Sequence, residues 1–400
     1  MTEPTRRAPL SADLLPASGA WRPGDPAGGR QFLTFAEERP FVLEGGGQLR
    51  RVTVAYETWG DLDAEASNAV LVCHALTGDS HAAGRSGPGH PTEGWWAPLI
   101  GPGRALDTDR LFVVCVNVLG GCQGSTGPSS IDAATGSPYG STFPVVSIRD
   151  MVRTQAAVAD HLGIGRWLAV VGGSMGGMQA LEWAVMYPDR VRGLAAIATT
   201  AAASAQQIAL SGVQRSAIAL DANWRGGDYY DAAPGEGPHM GLAIARQSAQ
   251  ITYRTEQVFN ERFGRKQLDP LDDRFTLWQR FDVEGYLDYH GAKLARRFDA
   301  NSYLVINRAM DLHDVGRGRG GMERALARIT APVLTLAIDS DTLYPPYQQE
   351  LIHETVSSLG GDATHVQITS PDGHDAFLLE TDAVGDALLP FLSQIEKGDR

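Results

Sequence analysis

Cysteine is scarce in this chain: among 400 residues there are three, Cys73, Cys115 and Cys122. Their odd number, with no CxxC or zinc-like spacing, speaks against a disulfide framework or a thiolate-bound metal, and reduced thiols in a cytosol are expected. Basic charge is also in short supply. Lys and Arg number 34 against 47 Asp and Glu, a formal net charge of −13. No nucleic acid is expected as a partner, because neutralising phosphates takes a basic patch or stripe. Long hydrophobic runs are missing too. The longest, such as Leu111 to Leu119, fall far short of the roughly 20 residues that cross a bilayer, so no membrane is expected either. Residues 1–30 hold Arg6 and Arg7 with no apolar segment behind them, which reads as a cytoplasmic protein without a secretory signal.

What is present is 43% hydrophobic residues and 46 glycines, enough for a large core in two or three units or in one α/β domain with an insertion. Residues 1–30, rich in Pro and Gly, read as a flexible arm. From Phe41 the pattern becomes strand-like: Phe41-Val-Leu, a Gly45-Gly-Gly turn, then Leu49 to Thr58 with alternation at Val52, Val54 and Tyr56, which predicts an antiparallel hairpin at a sheet edge. Short, continuously apolar runs follow at Ala69 to Cys73, Leu111 to Leu119, Trp167 to Val171, Gly193 to Ala198, Val333 to Ile338 and His365 to Ile368. Such runs predict buried parallel strands, with helices at Ile148 to Leu162 and Met178 to Tyr187. Between about Ala201 and Gly320 the alternation stops, and Met240 to Phe263 and Val283 to Arg297 read as helices. The expected class is α/β, a mostly parallel central sheet with helices on both faces. Its first part spans 31–200, a helical lid insertion 201–320, and its second part 321–400.

The sequence Gly172-Gly-Ser-Met-Gly176 is a G-x-S-x-G. Alone it is a weak signal; between an apolar strand and a helix it predicts the strand-turn-helix elbow that presents a serine nucleophile in α/β-hydrolase folds. A serine hydroxyl needs a base, and the base an orienting acid, in the order Ser, Asp, His on such folds. The strand at 333–338 ends in Asp339-Ser-Asp341 and the strand at 365–368 runs into Pro371-Asp-Gly-His374-Asp375. His374 is the one histidine of ten placed directly after a late strand and before a helix. His353 and His365 fall on elements instead. Asp341 is preferred as the acid, with Asp339 the alternative. The oxyanion hole requires two backbone N–H donors, assigned to Met175 and, in the loop after the strand at 69–73, to Leu76. A metal site at His74 and His81 is the competing reading; without H-E-x-x-H spacing or an acidic cluster, no metal is expected.

At this point the chain resembles a known family. The segments Cys73 to His81, Asn117 to Ser130, Gly172 to Gln179, Thr252-Tyr-Arg254 and Ser340 to Pro345 are similar to those of homoserine O-acetyltransferases, over about Phe32 to the C-terminus. The resemblance implies an α/β-hydrolase fold, and transfer of acetyl from acetyl-CoA to the L-homoserine hydroxyl through an acetyl-Ser174 intermediate. It implies His374 as base in both halves and Asp341 as its partner. It places Arg246 on the homoserine carboxylate and Asp375 on the ammonium, with Tyr253 in the same pocket, and it implies a homodimer formed through the insertion. Acetyl-CoA is then a co-substrate, and no cofactor is expected. The CoA phosphates are expected to meet either Arg262, Arg265 and Lys266 or Arg296 and Arg297. The alternatives are a serine hydrolase or esterase on the same fold, and succinyl in place of acetyl. Thr342, next to the triad acid, where succinyl users are understood to carry Trp, favours acetyl.

Overall fold

The computed structural model describes residues 15–268 and 279–398. Its frame is an eight-stranded sheet. The strands are β1 (Gln31–Phe35), β4 (Val52–Trp59), β5 (Ala69–Cys73), β8 (Phe112–Val116), β9 (Ala169–Gly173), β10 (Leu194–Ile197), β11 (Val333–Ile338) and β12 (Ala363–Ile368). Two short side pairs, β2 (Phe41–Val42) with β3 (Gln48–Leu49) and β6 (Ile100–Gly101) with β7 (Leu106–Asp107), lie outside it. The order across the sheet is β1-β4-β8-β5-β9-β10-β11-β12. Pairing is antiparallel for β1 with β4 and β4 with β8, and parallel from β8 onward.

Strands β5, β9 and β11 are buried at every position, which is why their sequences show no polar side. Helices cover both faces. Helix α1 (Ile148–His161) opens on a reciprocal capping box between Ser147 and Asp150, and α2 (Met175–Met186) follows β9 directly. Between β10 and β11 come α3 (Ala205–Ala219), α4 (His239–Tyr253), α5 (Glu256–Arg262), α6 (Asp282–Ala295), α7 (Ala300–Asp311) and α8 (Met322–Leu326). Helix α4 packs between α3 and α6. The chain closes with α9 (Tyr347–Ser358) before β12, then α10 (Ala376–Leu379) and α11 (Thr381–Lys397).

Three expectations need correction. The predicted hairpin forms, with β2 and β3 antiparallel across the Gly45-Gly-Gly turn, but it is short and lies outside the main sheet, where the edge partner of β4 is β1. The helix read across 240–263 is two, because Arg254 is extended (φ −120°, ψ 157°) and Thr255 caps α5 by accepting from Val258 N–H. Of the N-terminal arm, residues 1–14 lie outside the described residues; 17–20 are packed against the insertion, while 22–26 are exposed. Ala17, Ser18 and Ala20 are buried, Ser18 Oγ donates to Asp299 Oδ1 at 2.7 Å, and Trp21 N–H donates to Cys122 O at 2.9 Å. Small side chains allow this close approach: a Cβ on Gly19 would lie 2.6 Å from Phe298 N.

Candidate active site

The elbow is built by glycine and by strain. A Cβ on Gly172 would meet the backbone of Gly176 at 2.2 Å, and one on Gly176 would meet Cys73 O at 2.1 Å. Between them Ser174 holds φ 57° and ψ −125°, a conformation that costs a non-glycine residue of order 1–3 kcal/mol. That turn sets Ser174 at the N-terminus of α2, where helix N–H groups favour developing negative charge.

Ser174, His374 and Asp341 come together although they are far apart in sequence. His374 Nε2 is 3.0 Å from Ser174 Oγ, and His374 Nδ1 is 2.7 Å from Asp341 Oδ2. Asp341 Oδ1 accepts from Leu343 and Tyr344 N–H at 2.8 and 2.9 Å, so the carboxylate is fixed from both sides. All three residues are buried. Rings of Tyr344, Phe377 and Tyr253 surround the imidazole with centroids at 5.0, 5.4 and 5.8 Å. Asp339 is exposed and accepts from Ser370 N–H at 3.0 Å; it does not touch His374. His365 bonds Thr335 and His353 packs on His365, both away from the triad.

Leu76, in the loop after β5, and Met175, in the first turn of α2 directly after Ser174, are both buried. No hydrogen-bond acceptor for either backbone N–H is found among the described residues. Nearby, His74 is locked rather than open to a ligand. Its Nδ1–H donates to Ala75 O at 2.8 Å and its Nε2 accepts from Val118 N–H at 3.1 Å, while burial pushes its pKa down. Among the described residues, Glu57, His81 and His90 are close enough to share an ion. Their geometry suits a hydrogen-bonded stack better: the two imidazoles lie parallel at 3.7 Å, and His90 Nε2 already accepts from Gly29 N–H at 2.9 Å. Parallel rings cannot aim both lone pairs at one cation.

Helix α4 roofs the triad. Arg246, Gln250 and Tyr253 fall at i, i+4 and i+7 and share its inner face. The Arg246 guanidinium lies 5.1 Å from the Tyr253 ring centre, and burial raises the Tyr253 pKa. Asp375 is partly engaged: Oδ2 pairs with Arg254 Nε at 3.2 Å and lies 3.5 Å from Gln250 Nε2. Arg254 also pairs with Asp372. A cavity of about 180 Å³ bordered by Thr77, Asp79, Gln123, Arg246 and Arg297 opens beside this roof. Larger hollows of about 510 and 490 Å³ contain no triad residue.

Of the two basic groups considered for CoA, Arg262 and Arg265 lie over aromatic rings, Arg296 is exposed, and Arg297 turns inward. Sequence reasoning offered Arg297 only together with Arg296, for the CoA phosphates, and did not separate the two. The signal was spacing: it lies just past the end of α6, three residues after buried Leu294, and is half-buried where Arg296 is exposed.

A mostly parallel sheet with a serine elbow and a buried Ser–His–Asp set defines a protein of the α/β-hydrolase type. The comparisons agree with that class and narrow it. A family model described as alpha/beta hydrolase fold matches residues 68–381. A homoserine O-acetyltransferase of Thermobifida fusca is 55% identical over 95% of this chain and 98% of the relative, and one of Moorella thermoacetica is 50% identical over 88% and 93%. The crystal structure of homoserine O-acetyltransferase from Bacillus anthracis superposes with a TM-score of 0.83 at 30% identity, over 91% of this chain and 97% of that one. That of esterase E22 superposes at 0.82 and 33%, over 91% and 99%. The chain belongs to the homoserine O-acetyltransferase family, within the α/β-hydrolase fold.

Proposed function

We propose that this protein transfers the acetyl group of acetyl-CoA to the side-chain hydroxyl of L-homoserine by double displacement. The observation that carries the reading is the Ser174–His374–Asp341 chain of hydrogen bonds at 3.0 and 2.7 Å beneath a roof that supplies Arg246. In the first half His374 Nε2 takes the proton of Ser174 Oγ, which attacks the thioester carbonyl. The tetrahedral oxyanion is met by Leu76 and Met175 N–H, and collapse breaks the C–S bond while the proton passes to the departing CoA sulfur. In the second half the same nitrogen takes the homoserine hydroxyl proton; that oxygen attacks the acetyl-serine, and Ser174 Oγ leaves and recovers the proton. Asp341 holds the Nδ1–H tautomer and stabilises the imidazolium both times. Arg246 suits the homoserine carboxylate because a guanidinium matches it bidentately. Asp375 Oδ1, without a partner among the described residues, is left for the ammonium, and Tyr253 walls the pocket.

No cofactor enters this chemistry; acetyl-CoA is consumed as a co-substrate. We place the protein in the cytoplasm as a homodimer. Three buried, unpaired cysteines support the reducing compartment, and no described helix is long and apolar enough to cross a membrane. Exposed Met240, Ile244 and Ile251 on α4 and Val213 on α3 support dimerisation through the insertion. Intact-mass spectrometry with acetyl-CoA alone tests the mechanism: one added acetyl, absent in Ser174→Ala, is expected. Homoserine-dependent release of CoA without that adduct indicates direct transfer instead.

A further inference from the structure

Arg246 and Arg297 come from different helical segments of the insertion and converge on one residue. Arg297 Nη2 donates to Thr77 O at 3.0 Å, and Arg246 Nη1 lies 3.5 Å from Thr77 Oγ1. Neither guanidinium forms an ion pair with a carboxylate among the described residues. Burial pushes the Arg297 pKa down, Asp79 pulls it up, and the neighbouring Arg246 pushes it down again. His290, close by, is pushed down to about 4 by burial and by Arg246, Lys293, Arg254 and Arg262. The cavity of about 180 Å³ that the two arginines border also carries Asp79 and Glu93, yet among the described residues neither carboxylate lies within ion-pair distance of either guanidinium. Two cations brought this close out of bulk water are costly unless an anion joins them.

The position selects the anion. Thr77 directly follows Leu76, the loop donor to the oxyanion, so the Arg297 guanidinium, bonded to Thr77 O at 3.0 Å, is tied to the residue next to that donor. A carboxylate a few bonds from the accepting hydroxyl falls there. The phosphates of CoA do not, because the whole pantetheine arm separates them from the thioester. We propose that Arg297 is a second specificity-determining cation, which together with Arg246 clamps the α-carboxylate of the amino-acid acceptor. This rests on the acetyl-transfer reading given above. One cation on α4 and one just beyond α6 also make the clamp depend on how these two packed helices sit over Thr77.

The test compares full-length wild type, Arg297→Met and Arg297→Lys in the two half-reactions separately. Acetylation of Ser174 is followed by quenched-flow intact mass with acetyl-CoA alone. Deacylation is followed with L-homoserine and with 3-amino-1-propanol, which keeps the amine and the hydroxyl but has no carboxylate. For Arg297→Met the expected result is acetylation within about twofold of wild type and a second-order deacylation constant with homoserine lowered about 10- to 150-fold. No difference from wild type is expected with 3-amino-1-propanol, and Arg297→Lys should recover part of the loss with homoserine. Equal losses with both acceptors mean a structural role and overturn the assignment. So does a loss confined to acetylation by acetyl-CoA that disappears with S-acetylpantetheine, which lacks the nucleotide phosphates. Wild type that acetylates Ser174 and passes the group to homoserine leaves the transfer reading intact while either result removes Arg297. Wild type that does neither removes both.

Discussion

Asp341 and His374 are joined at 2.7 Å through Oδ2 and Nδ1, while Asp339, only two residues before Asp341, turns to the backbone of Ser370. Asp341→Asn should therefore keep the geometry but favour the wrong imidazole tautomer, lowering kcat by about four orders of magnitude. Asp339→Asn should stay within about threefold of wild type, since it changes no atom touching His374. Steady-state release of CoA, read with a thiol dye, compares the two. A large loss in the second variant with little in the first would reassign the acid.

Ser174 pays for its position in backbone strain. Ser174→Gly should abolish acetylation and at the same time raise the unfolding midpoint, because glycine relieves φ 57°, ψ −125°, worth about 1–3 kcal/mol, against an entropic cost near 1 kcal/mol. Ser174→Ala, equally inactive, keeps the strain and should gain less. Thermal unfolding of the three proteins side by side tests this, and an alanine variant as stable as the glycine one would show that the elbow stores little strain.

Arg246→Ala should damage the homoserine half-reaction and spare acetylation of Ser174. Loss of a charge-assisted bond to the substrate carboxylate is worth about 1.5–3 kcal/mol, roughly 10- to 150-fold. Single-turnover rates measured for each half decide it; equal damage to both points to a structural role.

Acetyl-CoA should outperform succinyl-CoA by at least about tenfold in kcat/KM, near 1.4 kcal/mol. With Arg246 and Arg297 committed to the homoserine carboxylate, the second carboxylate of a succinyl group has no cation of its own, and burying it unpaired is costly. The check is a comparison of the two thioesters at equal, sub-saturating concentration with homoserine fixed; a higher rate with succinyl-CoA refutes the assignment.

Acid should destabilise the fold through His313. Its Nε2–H donates to Thr200 O at 3.1 Å, its Nδ1 is buried without a partner, and burial pushes its pKa from 6.5 down to about 4. Below pH 6.5 the unfolded chain takes up a proton that the folded one refuses, so stability is complete above 6.5 and falls as pH drops towards 4, by about 1.4 kcal/mol per pH unit. His313→Gln, which retains a donor towards Thr200, should flatten that part of a urea-stability profile. An unchanged slope would show that other groups govern it.

What the sequence disclosed follows the burial of each element. β5 and β11 were readable to the residue because cover on both faces leaves a purely apolar run, and the elbow because backbone collisions at Gly172 and Gly176 enforce glycine. β1 was not readable: it is an edge strand with most of its side chains at least partly exposed, so no periodicity marks it. Helix α3 carries a usable signal that composition masked, the reciprocal cap of Ser204 with Gln207. At the site, the triad was legible from strand ends, but the pairing of Asp375 with Arg254 and the inward turn of Arg297 depend on how α4 and α6 pack. Such contacts join segments more than a hundred residues from each other and leave no local trace.

The sheet order places nucleophile and base on strands separated by the whole insertion: Ser174 follows β9, whereas His374 follows β12, the last strand and an edge of the sheet. A chain that has formed its first half but not yet docked β12 presents a serine with no base beside it. Such an intermediate lacks the triad, so acyl chemistry at Ser174 waits until β12 has docked and brought His374 to it.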